Sequence, residues 1–187
     1  MVDTDVIVVG GGPAGLSAAL FTAKNDLDTV AFDTDESWLH KAHLFNYPGI
    51  RSMDGSNFLS RTREQASADH GADLREGVEV ESVEATGDGF TVHADGEEHA
   101  ASYVVLATGA NRDLASDLGC AFTDEDVVEV DVTMETSVDD AYATGAMVRA
   151  EEWQAVISAG DGAAAALNIL SKEKGEHYHD FDTPADV

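Results

Sequence analysis

Three glycines, Gly10, Gly12 and Gly15, stand in a G-x-G-x-x-G run that continues through Pro13 and Ala14. The run follows a short apolar segment, Asp5–Val9, and opens a stretch of helical periodicity. In that setting each glycine has a mechanical role, and the three roles are a tight turn, a close backbone approach to a pyrophosphate, and close helix–strand packing. The helix start then offers free N–H groups and a partial positive charge to the phosphates. A second apolar segment, Thr29–Asp33, ends in a carboxylate 18 residues after Gly15. An acid there can accept both hydroxyls of a ribose, which favours FAD or NAD over a 2′-phosphorylated dinucleotide.

These residues need a β-α-β unit to hold them. Asp5–Val9 reads as a buried parallel strand, and Pro13 to about Lys24 as a helix with Leu16, Ala19, Leu20 and Ala23 on one face. Thr29–Asp33 reads as the second strand. From Ser37 to Met53 the chain has loop character, with Trp38, His40, His43, Phe45, Tyr47 and Pro48 concentrated there. A helix is predicted from about Ser56 to His70, stopped by Gly71. Strands are predicted at Val78–Ala85 and Phe90–Ala94 around a Gly87-Asp88-Gly89 turn, with a short third piece at Glu97–Ala101 completing a β-meander. Tyr103–Ala107 reads as another buried parallel strand. Asn111–Val127 reads as a connection, Val127–Val130 and Ala141–Thr144 as short strands, and Glu152–Leu170 as a final helix whose acidic opening suits its dipole. The fold class is α/β: a doubly wound, Rossmann-like dinucleotide-binding domain with a parallel sheet and a three-stranded meander.

Composition narrows the partners. Hydrophobic residues make up 43% of the chain, too many for a disordered one. Acidic residues number 37 against 10 basic, a net charge of -27. That charge repels nucleic-acid phosphates and anionic membranes, so neither is an expected partner. The acids are scattered, as on a solvated surface adapted to a salt-rich cytoplasm. No run of about 18 apolar residues suggests a membrane span, and the start lacks the basic flank of a signal peptide, so a cytoplasmic location is expected. The single cysteine, Cys120, excludes an intramolecular disulfide and reads as a buried small hydrophobe.

Later motifs make the chain resemble the FAD domain of the thioredoxin reductase family. They are Gly10-Gly11-Gly12-Pro13-Ala14-Gly15-Leu16, Asn46-Tyr47-Pro48-Gly49 with Asp54-Gly55, and Leu106-Ala107-Thr108-Gly109-Ala110. Val130-Asp131, Met134–Val138, Tyr142-Ala143-Thr144-Gly145, and Trp153-Gln154-Ala155 with Ser158–Gly162 follow in order. The resemblance covers nearly the whole chain. It implies FAD as cofactor, with Gly10, Gly12, Pro13, Ala14 and Gly15 at the pyrophosphate and Asp33 at the adenosine ribose. It places the backbone around Val80 at the adenine, Thr108 and Gly109 close to the cofactor, and Gly145 and Ala146 at the ribityl region. Gln154 and Ala155, at a helix start, would face the flavin pyrimidine edge. On this reading residues 1–175 are one FAD-binding domain and 176–187 a polar tail.

The resemblance also carries departures. In the family an NADPH domain is inserted between the two segments of the FAD domain. Here about 20 residues pass from Thr108-Gly109-Ala110 to Val130-Asp131, the length of a connection, and no Cys-x-x-Cys pair is present. Electrons would then come from a separate partner protein or from diffusing NAD(P)H. The family's aspartate after the late strand is Ala146, and its Gly-Gly-Gln stretch is Ser37-Trp38-Leu39-His40-Lys41. The family's FAD domains pair, so a homodimer is a state the resemblance allows. The alternative reading is a non-catalytic module that binds FAD, NAD or ADP. No catalytic residue is assigned and no metal is expected. His40 and His43 read as loop residues packing beside Trp38 and Phe45, Lys41 as a solvated side chain, and His177 and His179 as part of the polar tail.

Overall fold

The computed structural model describes residues 4–183; the expectations for residues 1–3 and 184–187 lie outside the described residues. The chain opens with β1 (Thr4–Val9), α1 (Pro13–Lys24) and β2 (Thr29–Asp33), the expected β-α-β unit. β1 and β2 pair in parallel from Val6↔Thr29 to Val9↔Phe32. β1 is apolar on both faces because both are covered. Val6 and Val8 pack with Ala18 and Ala19 of α1, while Ile7 and Val9 join Phe32, Leu106 and Met147 on the opposite side.

The segment read as a loop after β2 carries local structure. It holds a 3-10 turn at Trp38–Lys41 and a two-residue ladder of β3 (His43–Leu44) with β4 (Met53–Asp54). Elements this short have no periodicity to read. α2 (Gly55–Glu64) is capped by the Asp54 carboxylate, which accepts from Ser56 N at 3.0 Å, and it widens into a π-helical turn over Gln65–Asp69. β5 (Asp73–Glu76) then pairs in parallel with β2. Its sequence, Asp-Leu-Arg-Glu, lacks the apolar run of a central strand because it lies at the sheet edge.

β6 (Val80–Thr86), β7 (Gly89–Ala94) and β8 (Glu97–Leu106) form the antiparallel meander. The two pieces expected at Glu97–Ala101 and Tyr103–Ala107 are one strand. The first half of β8 pairs with β7; its second half lies between β1 and β9 (Ala141–Ala143), parallel to both. The hydropathy break near Ser102 marks the passage from solvent-facing meander into buried parallel sheet. The sheet order is β5-β2-β1-β8-β7-β6, with β9 also on β8.

Residues 107–140 join β8 to β9. They hold a short helix, α3 (Asp113–Asp117), where the sequence suggested only a connection. The strand expected at Val127–Val130 is reduced to one bridge, Val128↔Phe122. Val128 is buried, but its N–H donates to Met147 O (3.0 Å) and Glu129 N to Ala121 O (2.9 Å), loop carbonyls that replace a ladder. α4 (Ala155–Lys174) starts three residues later than expected and runs past Leu170 to a left-handed stop at Gly175 (φ 67°). Trp153 N and Gln154 N donate to Glu151 O and Glu152 O, a turn that delays the helix.

α4 lies beside α1 on one sheet face through Ala165, Ala166 and Ile169. Two phenols tie it down: Tyr142 Oη donates to Asn168 (2.6 Å) and Tyr103 Oη to Glu173 (2.8 Å). The polar tail folds back onto α1, where Lys24 meets Asp180 and Asp182, each at 2.6 Å. Among the described residues no helix is long and apolar enough to cross a membrane.

Candidate cofactor site

The carboxyl ends of β1, β2, β8 and β9 open on one side of the sheet, where ligands of such folds bind. A cleft of about 690 Å³ lies there. It is lined by Gly10, Gly12, Pro13, Ala14, Asp33, Val80, Thr108, Gly109, Gly145, Ala146, Gln154 and Ala155, twelve of the thirteen residues singled out from the sequence. The thirteenth, Gly15, stands one turn behind, against the backbone of Gly10.

At the α1 end of the cleft, Gly12 caps the helix with no side-chain hydrogen bond, Pro13 occupies the first turn, and no acid stands there. The leading N–H groups of α1 therefore keep both their donors and their dipole for an anion. Gly12 is extended (φ -79°), and a Cβ on it would meet only Ser37 Oγ, at 3.5 Å. Gly11 was not singled out, yet a Cβ there would stand 2.1 Å from Asp33 Oδ2. The missing side chain at Gly11 lets the Asp33 carboxylate lie against the glycine turn.

Asp33 is buried, at 8% exposure. Its Oδ1 accepts from Asp35 N (3.0 Å) and its Oδ2 from Arg63 Nη2 (2.7 Å). An ionised carboxylate has about four acceptor positions, so each oxygen can still take a hydroxyl. Arg63 also reaches Asp35 (2.5 Å) and Glu76 (3.4 Å). Burial works against the Arg63 charge, but Asp35 and Asp33 outweigh it and raise its pKa. The Arg63 and His40 hydrogen bonds hold the Asp35 carboxyl below its usual range. Sequence reasoning missed Arg63 because no motif links it to Asp33. In a chain with 10 lysines and arginines, a cation on a half-buried helix face is the one available signal.

Val80 lines the cleft where a β-bulge between Val80 and Ser82 breaks the register of β6 on β7. A bulge at a cleft rim re-aims backbone groups. At the far end, Gln154 caps α4 and Ala155 begins it, again with no acid in the first turn. The Gln154 amide oxygen accepts from Asn46 Nδ2 at 2.7 Å, joining the Asn-Tyr-Pro-Gly loop to this helix start. Thr108 Oγ1 donates to Asn111 O (2.7 Å) and shapes the turn at Gly109. Arg112 spans two cleft loops, donating to Met147 O (3.0 Å), Ala110 O (3.2 Å) and Ala146 O (3.4 Å).

Other candidates lie off the cleft. His40 bridges Ser56 Oγ and Asp35, each at 2.9 Å, and His43 stacks on Phe45 at 4.6 Å. Lys41 is exposed. Cys120 is buried against Thr136, and burial pushes its thiol pKa up. A buried, protonated thiol is a poor nucleophile.

Two helix starts lining one cleft, with the buried Asp33 carboxylate beside one of them, are compatible with a dinucleotide carrying a second ring system. Comparison with known proteins agrees. Residues 5–43 match the family model described as FAD binding domain, so FAD is the cofactor this fold takes. The thioredoxin reductase of Mycolicibacterium smegmatis is 36% identical over 110 residues, 57% of this chain and 35% of that protein. That of Listeria monocytogenes is 36% identical over 112 residues, 58% and 34% respectively. The chain spans about a third of the length of these curated relatives. The structure of a thioredoxin reductase from Gloeobacter violaceus superposes with a TM-score of 0.87 at 21% identity, covering 98% of this chain and 100% of that one. Residues 48–162, well over half of the chain, match the family model described as pyridine nucleotide-disulphide oxidoreductase. On that match, and on the fold and cleft that agree with it, the chain belongs to the pyridine nucleotide-disulphide oxidoreductase family.

Proposed function

We propose that this chain is a single-domain flavoprotein of redox type, thioredoxin reductase-like, that works without an NADPH domain or redox disulfide of its own. The observation that carries the reading is the continuity of the cleft from Asp33 to Gln154 and Ala155. The α1 start and Asp33 bind the ADP half; the glycine turn brings backbone donors to the pyrophosphate. The α4 start places a positive dipole end where negative charge develops on reduction. Bound FAD supplies the electron-accepting chemistry, and the chain supplies position and field. Residues 107–140, with α3 as their one helix, support the view that electrons arrive from outside the chain, from a partner protein or diffusing NAD(P)H.

Ala146 favours one second reading, a nucleotide-binding module without redox work. Anaerobic mixing of the FAD-loaded protein with NADH, NADPH or a reduced viologen, each scored only for bleaching faster than that of free FAD, separates the two. The redox reading expects the flavin band near about 450 nm to bleach and to return when ferricyanide is added. No bleaching by any of the three donors would leave the binding module as the better account.

We also read the acidic surface as an adaptation to a salt-rich cytoplasm. Pairing every lysine and arginine once still leaves 37 − 10 = 27 carboxylates without a cationic partner. Raising salt from about 0.1 M to 1 M shortens the screening length from about 10 Å to about 3 Å. Each kcal/mol of relieved repulsion raises the melting temperature of a domain this size by roughly 2–4 °C. Thermal scans should therefore show a steep rise with KCl, and a flat profile from dilute to molar salt would contradict the reading.

A further inference from the structure

Trp38 and Trp153 are large side chains left in water, 57% and 44% exposed, on a surface otherwise dominated by acids. Both line the cleft, and their ring centroids are 5.4 Å apart with planes inclined at 54°. They come from segments far apart in sequence: Trp38 opens the 3-10 turn after β2, and Trp153 immediately precedes the α4 cap. Trp153 is held in place, since its Nε1 donates to Arg149 O at 2.9 Å. The Arg149 guanidinium in turn pairs with the buried Asp161 carboxylate of α4 at 2.6 Å. The Asn46–Gln154 hydrogen bond ties the same two regions of chain together.

An exposed indole pair lining a cleft, with one member fixed by hydrogen bonding and the planes inclined at 54°, can offer a flat ring system one face to stack on and one edge to abut. The geometry points to Trp38 and Trp153 as a stacking wall for the isoalloxazine ring. It grips the flavin half by aromatic contact in a cleft that has Ala146 where a carboxylate would otherwise help. The inference rests on the FAD reading of the cleft and adds the residues that tell FAD from a bare adenine nucleotide. Stacking is tolerant of ring chemistry and is worth about 5- to 150-fold in affinity per ring in comparable platforms.

The test is calorimetric titration of the full chain in molar KCl with FAD and, separately, with ADP, while tryptophan emission is followed. Wild type should bind FAD more tightly than ADP, and FAD alone should quench the emission strongly. In the Trp38→Ala/Trp153→Ala double variant, FAD affinity should fall about 10- to 100-fold toward that of ADP. ADP affinity should stay at the wild-type value, which also reports an intact fold. The double Phe variant should keep most of the FAD preference. An unchanged FAD-to-ADP ratio in the Ala variant would overturn the stacking wall while leaving FAD binding intact. Failure of wild type to bind FAD at all would overturn the underlying reading of the cleft and the wall with it.

Discussion

Gly15→Ala should unfold the nucleotide end of the domain, whereas Gly12→Ala should fold normally and bind FAD poorly. A Cβ on Gly15 would stand 1.8 Å from Gly10 O, a backbone atom with nowhere to move. Gly10 is itself fixed: its N donates to Phe32 O (2.8 Å), and its left-handed φ of 114° holds the turn. Relief therefore requires α1 to lift off β1, where Val6, Val8, Ala18 and Ala19 are fully buried. Overpacking at so rigid a point costs about 3 kcal/mol or more, a fall in melting temperature of roughly 6–12 °C. Gly12 is the opposite case, because its backbone suits any L-residue and a Cβ meets only Ser37 Oγ at 3.5 Å. That Cβ would stand on the cleft side, between the backbone donors and the pyrophosphate. Thermal melting separates the two: Gly15→Ala should melt lower and Gly12→Ala like wild type, while FAD titration should show weak binding in both. Equal stability of Gly15→Ala and wild type would show that this packing is mis-assigned.

Ala146→Asp should tighten FAD binding. Ala146 lines the cleft just after β9, and the Arg112 guanidinium lies 3.4 Å from its carbonyl. A carboxylate here can accept from a ribityl hydroxyl close to a cation that limits its desolvation penalty. One charge-assisted hydrogen bond contributes about 1.5–3 kcal/mol, or about 10- to 150-fold in affinity. ADP, which lacks the ribityl chain, should gain nothing. An equal gain for both ligands would place residue 146 at the adenosine hydroxyls and not at the flavin side; no gain for either would remove it from the site.

What could be read from the sequence followed from how local each signal is. The β-α-β unit, the glycine turn and Asp33 sit within 33 residues, and their hydropathy, spacing and chain direction all constrain the same turn. The later motifs were legible as a resemblance; Ala107–Ala110, Thr144-Gly145 and Trp153–Ala155 line the same cleft, while Val130-Asp131 and Met134–Val138 are not among its lining residues. Arg63 was not legible, since the stretch that separates it by 30 positions from Asp33 includes a 3-10 turn, a two-residue ladder and most of α2. The Trp38–Trp153 contact spans still more chain and depends on how α4 is seated. β8 was divided in two because its halves face different surroundings, and hydropathy records surroundings before it records strand continuity. Val127–Val130 misled for the converse reason. Its valines are buried or half-buried, but the hydrogen bonds of this stretch go largely to loop carbonyls.

The central claim is that one cleft holds FAD along its length, with the ADP half on α1 and Asp33. Purified protein in molar KCl, titrated with FAD and then with excess ADP, tests it most directly. The account predicts a saturable shift of the flavin band near about 450 nm at about one FAD per chain, reversed as ADP displaces the cofactor. A flavin spectrum that protein leaves unchanged, or one that ADP cannot restore at an excess well above the FAD-over-ADP affinity ratio, would contradict it.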